Sequence, residues 1–301
     1  MQAAKVPNEL LDFIASYACC DGGTTARSLQ LVSRTLKAIT EPYKFQSVAL
    51  SGPPRMKAFL RSFESSSEAA RANLRHVFIW PSTARTGLFD LLLDVLETIS
   101  PTVESLVFVT DNRPQGEIAI DVLKEVSFPR LTHLKLATPT TQSYNLDIPK
   151  DRPQLFPNLT HVHWCLTTEV HLEDVHRPLC QLFSIPSSKT VKCIRISGCA
   201  MGLSSFPSFL AVVLGYEPAS SWVLPLPPSV EKYIAQVPPG ADSMLTDKAY
   251  KVLMQWNEEA GRIKCKVLKG PPNKDRRLWK SMWLKEQGGE RDINEDWNLG
   301  S

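Results

Sequence analysis

The chain has 301 residues, of which 43 % are hydrophobic, so one elongated domain or two compact ones with a sizeable core are expected. The net charge of +3 is too small to indicate nucleic-acid binding by itself, and no apolar stretch is long enough to cross a membrane. Seven cysteines, an odd number without a Cys-x-x-Cys pair or a signal-peptide pattern, predict free thiols in a reducing intracellular compartment, cytoplasmic or nuclear.

The first predicted elements are helices within residues 1–45. Apolar residues at helical spacing follow Asn8, which can cap the N-terminus of a helix. The run Asp21-Gly22-Gly23 interrupts this pattern. A second helix with one apolar stripe is predicted for residues 24–39.

Residues 46–215 are dominated by an apolar phrase that occurs six times, at spacings of 28 to 32 residues. Its copies begin at Phe45, Leu74, Val103, Leu131, Leu159 and Val191. The last two apolar residues of each copy are two positions apart, so they point to the same side of a strand. Helical stretches lie between most copies, and a strand–helix repeat of this kind predicts an α/β protein with a parallel sheet and outer helices. The linker at residues 139–154 is proline-rich and is predicted to be an irregular loop.

The last two zones lack the phrase. Residues 216–261 contain six prolines, end in a predicted helix over residues 242–259, and are interpreted as a C-terminal capping segment. Residues 262–301 are first basic and then acidic, which is typical of a flexible, solvated tail. The basic part, residues 262–285, also contains two tryptophans, but we favour solvation and do not expect it to contact nucleic acid or a membrane.

The repeated phrase resembles the leucine-rich repeat, L-x-x-L-x-L-x-x-N/C, over roughly residues 45–200. It departs from that family at the Asn/Cys position, which holds Pro53, Ser82, Asp111, Pro139, Thr167 and Cys199 in the successive copies. Proline offers no side-chain hydrogen bond to the loop backbone. The resemblance therefore implies an irregular solenoid.

Residues 1–45 resemble an F-box. The family's Leu-Pro-x-Glu-Leu-Leu-x-x-Ile helix is matched by the sequence VPNELLDFI at residues 6–14, and its Leu-Val-Ser/Cys-Arg segment by residues 31–34. Leu36 stands where many members have tryptophan, so an apolar residue is kept with less area to bury. An F-box followed directly by leucine-rich repeats is similar to the large F-box families of mushroom-forming fungi.

This resemblance implies a substrate-recognition subunit of an SCF-type (cullin–RING) ubiquitin ligase that has no catalytic residues of its own. The F-box of such a protein binds the adaptor subunit, and the repeats bind the target protein. Carried over by position, the adaptor-binding residues are Pro7, Leu10, Leu11, Ile14, Leu31 and Val32. Two alternatives stay open: the N-terminal helices only cap the repeats, or the chain is an interaction scaffold without a ligase link.

Strand alternation predicts which side chains occupy the sheet face opposite the outer helices, called the second face below; it is the concave face of a leucine-rich repeat. The residues predicted to bind the target there are His76, Phe78, Trp80, Val107, His133, Lys135, His161, His163 and Arg195. The apolar members at the N-terminal end form either a partner site or a surface covered by residues 139–154.

Metal and catalytic sites are not expected. Side chains of the types that bind zinc come together on the second face at His133, His161, His163 and Cys165, but neighbouring strands do not supply a closed tetrahedral arrangement. We interpret them as exposed positions of the repeat. Gly-x-Ser-x-Gly, a phosphate-binding glycine loop and His-Glu-x-x-His are all absent from the sequence, so no cofactor is expected.

Overall fold

The computed structural model describes residues 6–82, 86–139, 155–171, 190–200, 206–219, 225–237, 248–261, 263–269 and 276–287. Within them, one sheet of eight parallel strands has its strands side by side in chain order. The strands are β1 (Ser47–Ser51), β2 (His76–Trp80), β3 (Ser105–Val109), β4 (His133–Thr138), β5 (His161–His171), β6 (Cys193–Ala200), β7 (Lys232–Val237) and β8 (Lys264–Lys269).

The α-helices are α1 (Asn8–Ala18), α2 (Thr24–Val32), α3 (Arg34–Thr40), α4 (Pro53–Glu64), α5 (Glu68–Ala72), α6 (Leu88–Ile99), α7 (Arg113–Glu125), α8 (Phe206–Leu214), α9 (Lys248–Ala260) and α10 (Arg276–Gln287). Strand and helix alternate through most of the chain, so the predicted α/β class is confirmed. Except for Pro139, the linker predicted as a loop over residues 139–154 lies outside the described residues, as do residues 172–189 between β5 and β6.

The strand register confirms the predicted alternation. Val77 pairs with Leu106, Leu106 with Leu134, and the same row continues through Val162 and Ile194. All five side chains are buried, and each stabilises the fold by roughly 1.5–3 kcal/mol relative to full exposure. A single spine of aliphatic side chains therefore connects β2 to β6.

The spine and its neighbouring row form the first face of the sheet, and the core lies there. Side chains from α4, α6, α7, α8 and α9 join them in one apolar cluster. Examples are Phe59 from α4, Leu92 from α6 and Leu123 from α7. The apolar stripes of these helices recur at helical spacing, which is why the intervening segments fold as helices against the sheet.

The sheet is two strands longer than the phrase predicts. Tyr233 in β7 pairs with Ile194, and Cys265 in β8 pairs with Tyr233, so the spine continues into residues interpreted as a cap and a tail. The phrase is in fact present as Val230-x-x-Tyr233-x-Ala235, but it begins 39 residues after the copy at Val191 and contains only one aliphatic larger than alanine. Because the segment before it is longer than the other linkers and rich in proline, this seventh copy does not follow the period of the first six.

The predicted flexible tail also differs from the structure. Residues 276–287 form α10, which packs against the second face with Trp279 and Trp283 buried. Charge composition suggested solvation, yet two tryptophans four residues apart lie on one side of a helix and bury a large apolar area. The remaining tail residues after Gln287 lie outside the described residues.

The N-terminal helices also depart from the prediction, since two helices replace the single one expected over residues 24–39. Ser33 between α2 and α3 has an extended backbone, with φ −159° and ψ 161°, and its hydroxyl accepts a 3.1 Å hydrogen bond from the Leu36 N–H. Serine at this position satisfies a free N–H of the new helix, which favours the break. At α1 the N-cap is Pro7 rather than Asn8, without a side-chain cap.

Candidate binding surfaces

The first candidate surface is the exposed apolar side of α1 and α2. Seven of the twelve exposed large apolar side chains in the described part of the chain belong to residues 6–32. They are Val6, Leu10, Phe13, Ile14, Tyr17, Leu31 and Val32. Of the residues predicted to bind an adaptor, Pro7, Leu10, Ile14, Leu31 and Val32 are exposed and Leu11 is half-buried.

Helical spacing gathers four of these side chains on one side of α1. Leu10, Phe13, Ile14 and Tyr17 are separated by three, four and seven positions, and the rings of Phe13 and Tyr17 are in edge contact with centroids 4.9 Å apart. In contrast, Ala15 on the other side of α1 is buried. The helix therefore presents a continuous apolar stripe to solvent.

The N-terminal helices are attached to the first strand and to the end of α5 by specific hydrogen bonds. The Gly22 N–H donates to the Ser47 hydroxyl at 3.3 Å, and the Asn73 amide donates to the Pro42 carbonyl at 3.1 Å. Within the helices, the Tyr43 hydroxyl donates to Asp12 at 3.1 Å. The apolar stripe is thus held in a defined position beside the first strand.

The second candidate surface is the second face of the sheet, whose apolar half is covered by α10. Phe78 and Val107 are buried together with Trp283, and the rings of Phe78 and Trp283 have centroids 5.7 Å apart. Trp279 reaches further across the sheet, where its ring lies 5.6 Å from that of His163. The predicted apolar patch therefore exists as a cluster, with a segment of the same chain packed on it.

A buried ion pair also joins α10 to the sheet. Lys135 of β4 donates to Glu286 at 2.6 Å, and both side chains are almost fully buried. A buried charge pair of this kind is strongly destabilised when one partner is removed, because the other charge is left without compensation. The pair thereby fixes the orientation of α10 more than it adds stability.

Two histidines stack on neighbouring strands. The rings of His133 and His161 are nearly parallel, at 6°, with centroids 4.5 Å apart, and each Nδ1 lies 2.9 Å from the hydroxyl of the preceding threonine. Burial is the largest cause that lowers the pKa of His133 to about 3 and that of His161 to about 4. Both imidazoles are therefore neutral at physiological pH, which permits the stacking.

Further along the face, His163 belongs to a buried polar network. Its Nε2 lies 2.9 Å from the Ser197 hydroxyl, which in turn donates to the Gln236 side-chain oxygen at 3.0 Å. Arg195 donates to the same oxygen at 2.9 Å. Because the serine proton goes to Gln236, the serine oxygen accepts from Nε2–H, and in this tautomer His163 is not a base toward Ser197.

This network offers no accessible nucleophile in the described conformation. His163 is 4 % exposed and Ser197 is 2 % exposed, so a substrate atom cannot contact either of them. Burial, followed by the charges of Arg195 and Lys135, holds the pKa of His163 well below its usual value. The arrangement organises the sheet rather than performing chemistry on a bound molecule.

Metal binding is not supported by the geometry of the described side chains. Among them, no group of three or more histidine, cysteine, aspartate or glutamate residues is arranged to hold an ion. Cys165, the thiol of the zinc set considered from sequence, is buried, and burial raises its pKa to about 12. A protonated thiol is a poor metal ligand.

The structure brings the predicted target-binding residues into the expected rows. Phe78, Val107, Lys135, His163 and Arg195 are aligned across β2 to β6. They are less accessible than the sequence predicts. Helix α10 covers Phe78 and Val107 at one end of the row, and hydrogen bonds occupy His163 and Arg195 at the other end. Besides the stacked His133 and His161, the other two members also have internal partners or are buried. The Trp80 indole N–H donates to Asp111 at 3.0 Å, and burial lowers the pKa of His76 to about 4.

Sequence reasoning assigned no contact to Trp279, Trp283 and Glu286. A signal was available, since residues 279, 283 and 286 follow helical spacing and lie on one side of a helix, although Leu278, Met282 and Leu284 make its other positions only partly polar. The many charged residues around the two tryptophans lower the mean hydropathy of this segment, so its composition resembles that of a solvated tail.

The fold and these surfaces define an α/β protein with a sequential parallel sheet, in which the described residues place helices on one face and α10 on the other. No protein-family model matches the chain, and no curated protein matches it closely enough to count as a relative. None of the helices in the described ranges is long and apolar enough to cross a membrane.

Proposed function

We propose that the chain is the substrate-recognition subunit of an SCF-type ubiquitin ligase. In this proposal α1 to α3 form an F-box that binds the adaptor subunit, and the repeats form an irregular leucine-rich-repeat solenoid that binds the target protein. Transfer of ubiquitin is performed by other subunits. The sequence motif of residues 6–14 and the sequential parallel sheet support the two halves of the proposal.

One observation carries the proposal: the exposed apolar side of the N-terminal helices. Leu31 is 88 % exposed and Leu10 is 54 % exposed, whereas the aliphatic residues of the sheet spine are buried. Contiguous exposed apolar side chains on a folded surface are typical of a protein interface. These positions are also the ones at which the F-box motif implies contact with the adaptor.

Target binding in this proposal uses the part of the second face that α10 leaves accessible. His133, His161 and Arg195 are half-buried there, and their neutral rings and charged group offer stacking and hydrogen-bonding surface. The apolar half around Phe78 contributes only when α10 leaves the sheet. Arginine and aromatic side chains are enriched among the residues that dominate interface energies.

The test is capture of purified adaptor subunit by the full chain and by a double variant, Leu10→Asp with Leu31→Asp. Both side chains are exposed, so folding is unaffected, while two carboxylates in an apolar interface lower the affinity by at least about a hundredfold. The control is Val252→Asp, which places the same charge on an exposed apolar residue of α9. Equal capture by the intact chain and the double variant, or no capture by the intact chain, contradicts the proposal.

The second candidate function is a protein-interaction scaffold without a ligase link. It is favoured by the sheet itself, which extends over eight strands and whose second face contains none of the residues predicted to bind an adaptor. Affinity purification followed by mass spectrometry separates the two functions. Partners that lack an adaptor and depend on Arg195 support the scaffold, whereas partners that include an adaptor support the ligase subunit.

A further inference from the structure

A basic cavity lies where the N-terminal helices, β1, α4 and α10 meet. Its volume is about 510 Å³, within the range of small-molecule binding sites. Phe45, Val48, Leu50 and Phe59 contribute buried apolar side chains to its lining. The remaining lining is mostly polar, so the cavity combines an apolar floor with a charged rim.

Four cations from different elements converge on this cavity. They are Arg27 of α2, Lys44 before β1, Arg55 of α4 and Lys280 of α10. Among the residues that the structure describes, Arg27, Arg55 and Lys280 form no ion pair. Positive charges brought together without a counter-ion repel one another. The chain therefore leaves a concentrated positive charge for a ligand to compensate.

The negative groups near the cavity compensate only a small part of this charge. Asp21 is the single carboxylate in the lining, and its oxygens already accept from the Thr25 N–H at 3.0 Å and from the Thr25 hydroxyl at 2.7 Å. Glu41 lies 4.0 Å from Lys44, whose ammonium group is also 5.0 Å from the centre of the Phe45 ring. An excess of positive charge remains.

The chemistry of the lining selects phosphate among anions. Arginine forks match the geometry of phosphate oxygens, and lysine adds a mobile point charge. Gly23 and Thr24, at the N-terminus of α2, also line the cavity, where the helix dipole favours negative charge. Arg27 and Arg55 are exposed and Lys44 and Lys280 are half-buried, so all four charged groups can be reached by a ligand from solvent.

We propose that this cavity binds a phosphate-bearing small molecule, held by Arg27, Lys44, Arg55 and Lys280. The site goes beyond the proposed function and does not depend on it. Because Lys280 belongs to α10 while Arg27 belongs to the N-terminal helices, the ligand connects segments about 250 residues apart in sequence. Binding therefore stabilises the packing of α10 on the second face.

The experiment is isothermal titration calorimetry of the full chain with inorganic pyrophosphate at constant ionic strength. The intact chain is expected to bind one pyrophosphate in a saturable manner. Arg27→Gln, Arg55→Gln and Lys280→Gln are each expected to weaken binding by about tenfold or more, since each removes charge-assisted hydrogen bonds. Ala58→Trp, which fills the cavity without altering its charge, is expected to abolish binding.

Two control variants remove the same charges outside the cavity. Arg61→Gln lies on α4 and Lys285→Gln on α10, both exposed and not part of the lining, and each is expected to change affinity by less than about twofold. Bound pyrophosphate also slows proteolysis within residues 276–287. Absence of saturable binding, equal losses in the control variants, or binding of a phosphoserine peptide but not of pyrophosphate overturns the proposal.

Discussion

At the scale of single residues, the neutral histidines of the second face make the fold sensitive to acid. Burial lowers the pKa of His76, His133, His161 and His163 below the value of about 6.5 that a histidine has in an unfolded chain. Below pH 6.5 the unfolded chain therefore binds more protons than the folded chain. Stability is fully present above that pH and is lost as the pH falls toward the folded pKa values of about 3 to 4.

His163→Gln is expected to lower, by one, the number of protons that the chain takes up on unfolding at acid pH, so its free energy of unfolding changes less with pH. At pH 5.5 the buried imidazole costs the folded chain on the order of 1 kcal/mol relative to pH 7.5, and glutamine removes that cost. Urea unfolding at the two pH values measures the difference. The control is Ser197→Ala, which breaks the same hydrogen bond but keeps the histidine. It lowers stability at both pH values and leaves the pH dependence unchanged; equal pH dependence in the wild type and His163→Gln contradicts the account.

At the scale of elements, α10 is the part of the fold whose packing depends most on a few side chains. Trp283 is 1 % exposed, touches Phe78 and approaches Gly22, so the helix contacts both the sheet and the N-terminal segment. Only 12 residues form the helix, which is marginal for a helix in isolation. Its stability therefore comes mainly from the tryptophans, while the ion pair between Lys135 and Glu286 fixes its orientation.

Trp283→Ala is expected to release α10 from the sheet. Truncating a buried tryptophan costs about 3–5 kcal/mol when the helix stays packed on the sheet. Because α10 is short, detaching from the sheet requires less free energy than staying packed over the resulting cavity. Limited proteolysis should then cut within residues 276–287 at least about tenfold faster than in the wild type. Leu278→Ala, on the exposed side of the same helix, is the control and leaves the rate unchanged. Equal resistance of both variants shows that the tryptophan does not hold the helix.

At the scale of the whole molecule, the parts that follow a strict period could be predicted from sequence. The rows through Val77 and Phe78 follow from strand alternation and from a spacing of 28 to 32 residues. The strand at Tyr233 could not be predicted in this way, because it follows Ile194 by 39 residues. The strand at Cys265 follows Tyr233 by 32 residues, but its residues are not typical of the phrase. The position of α10 depends on contacts between Trp283 and a strand some 200 residues away, and no local pattern encodes such a contact.

The same distinction applies to the candidate sites. Helical spacing places Leu10 and Ile14 on one side of α1, so this stripe could be predicted from sequence, whereas their role in adaptor binding is implied only by the resemblance to an F-box. The basic cavity could not be predicted, because Arg27, Arg55 and Lys280 come together only through the packing of three separate elements. A surface formed by a single helix can be predicted from the sequence of that helix, whereas a surface formed by several elements can be recognised only in the tertiary structure.

The central proposal is that the chain binds an adaptor through its N-terminal helices while the part of the second face around His133, His161 and Arg195, which α10 leaves accessible, binds a target. Hydrogen–deuterium exchange of the full chain, with and without purified adaptor, tests this claim most directly. The account predicts slower exchange in residues 8–18 and 24–32 on adaptor binding, with no change in β2 to β6. Protection of β2 to β6 instead, or of neither region at saturating adaptor, would contradict it.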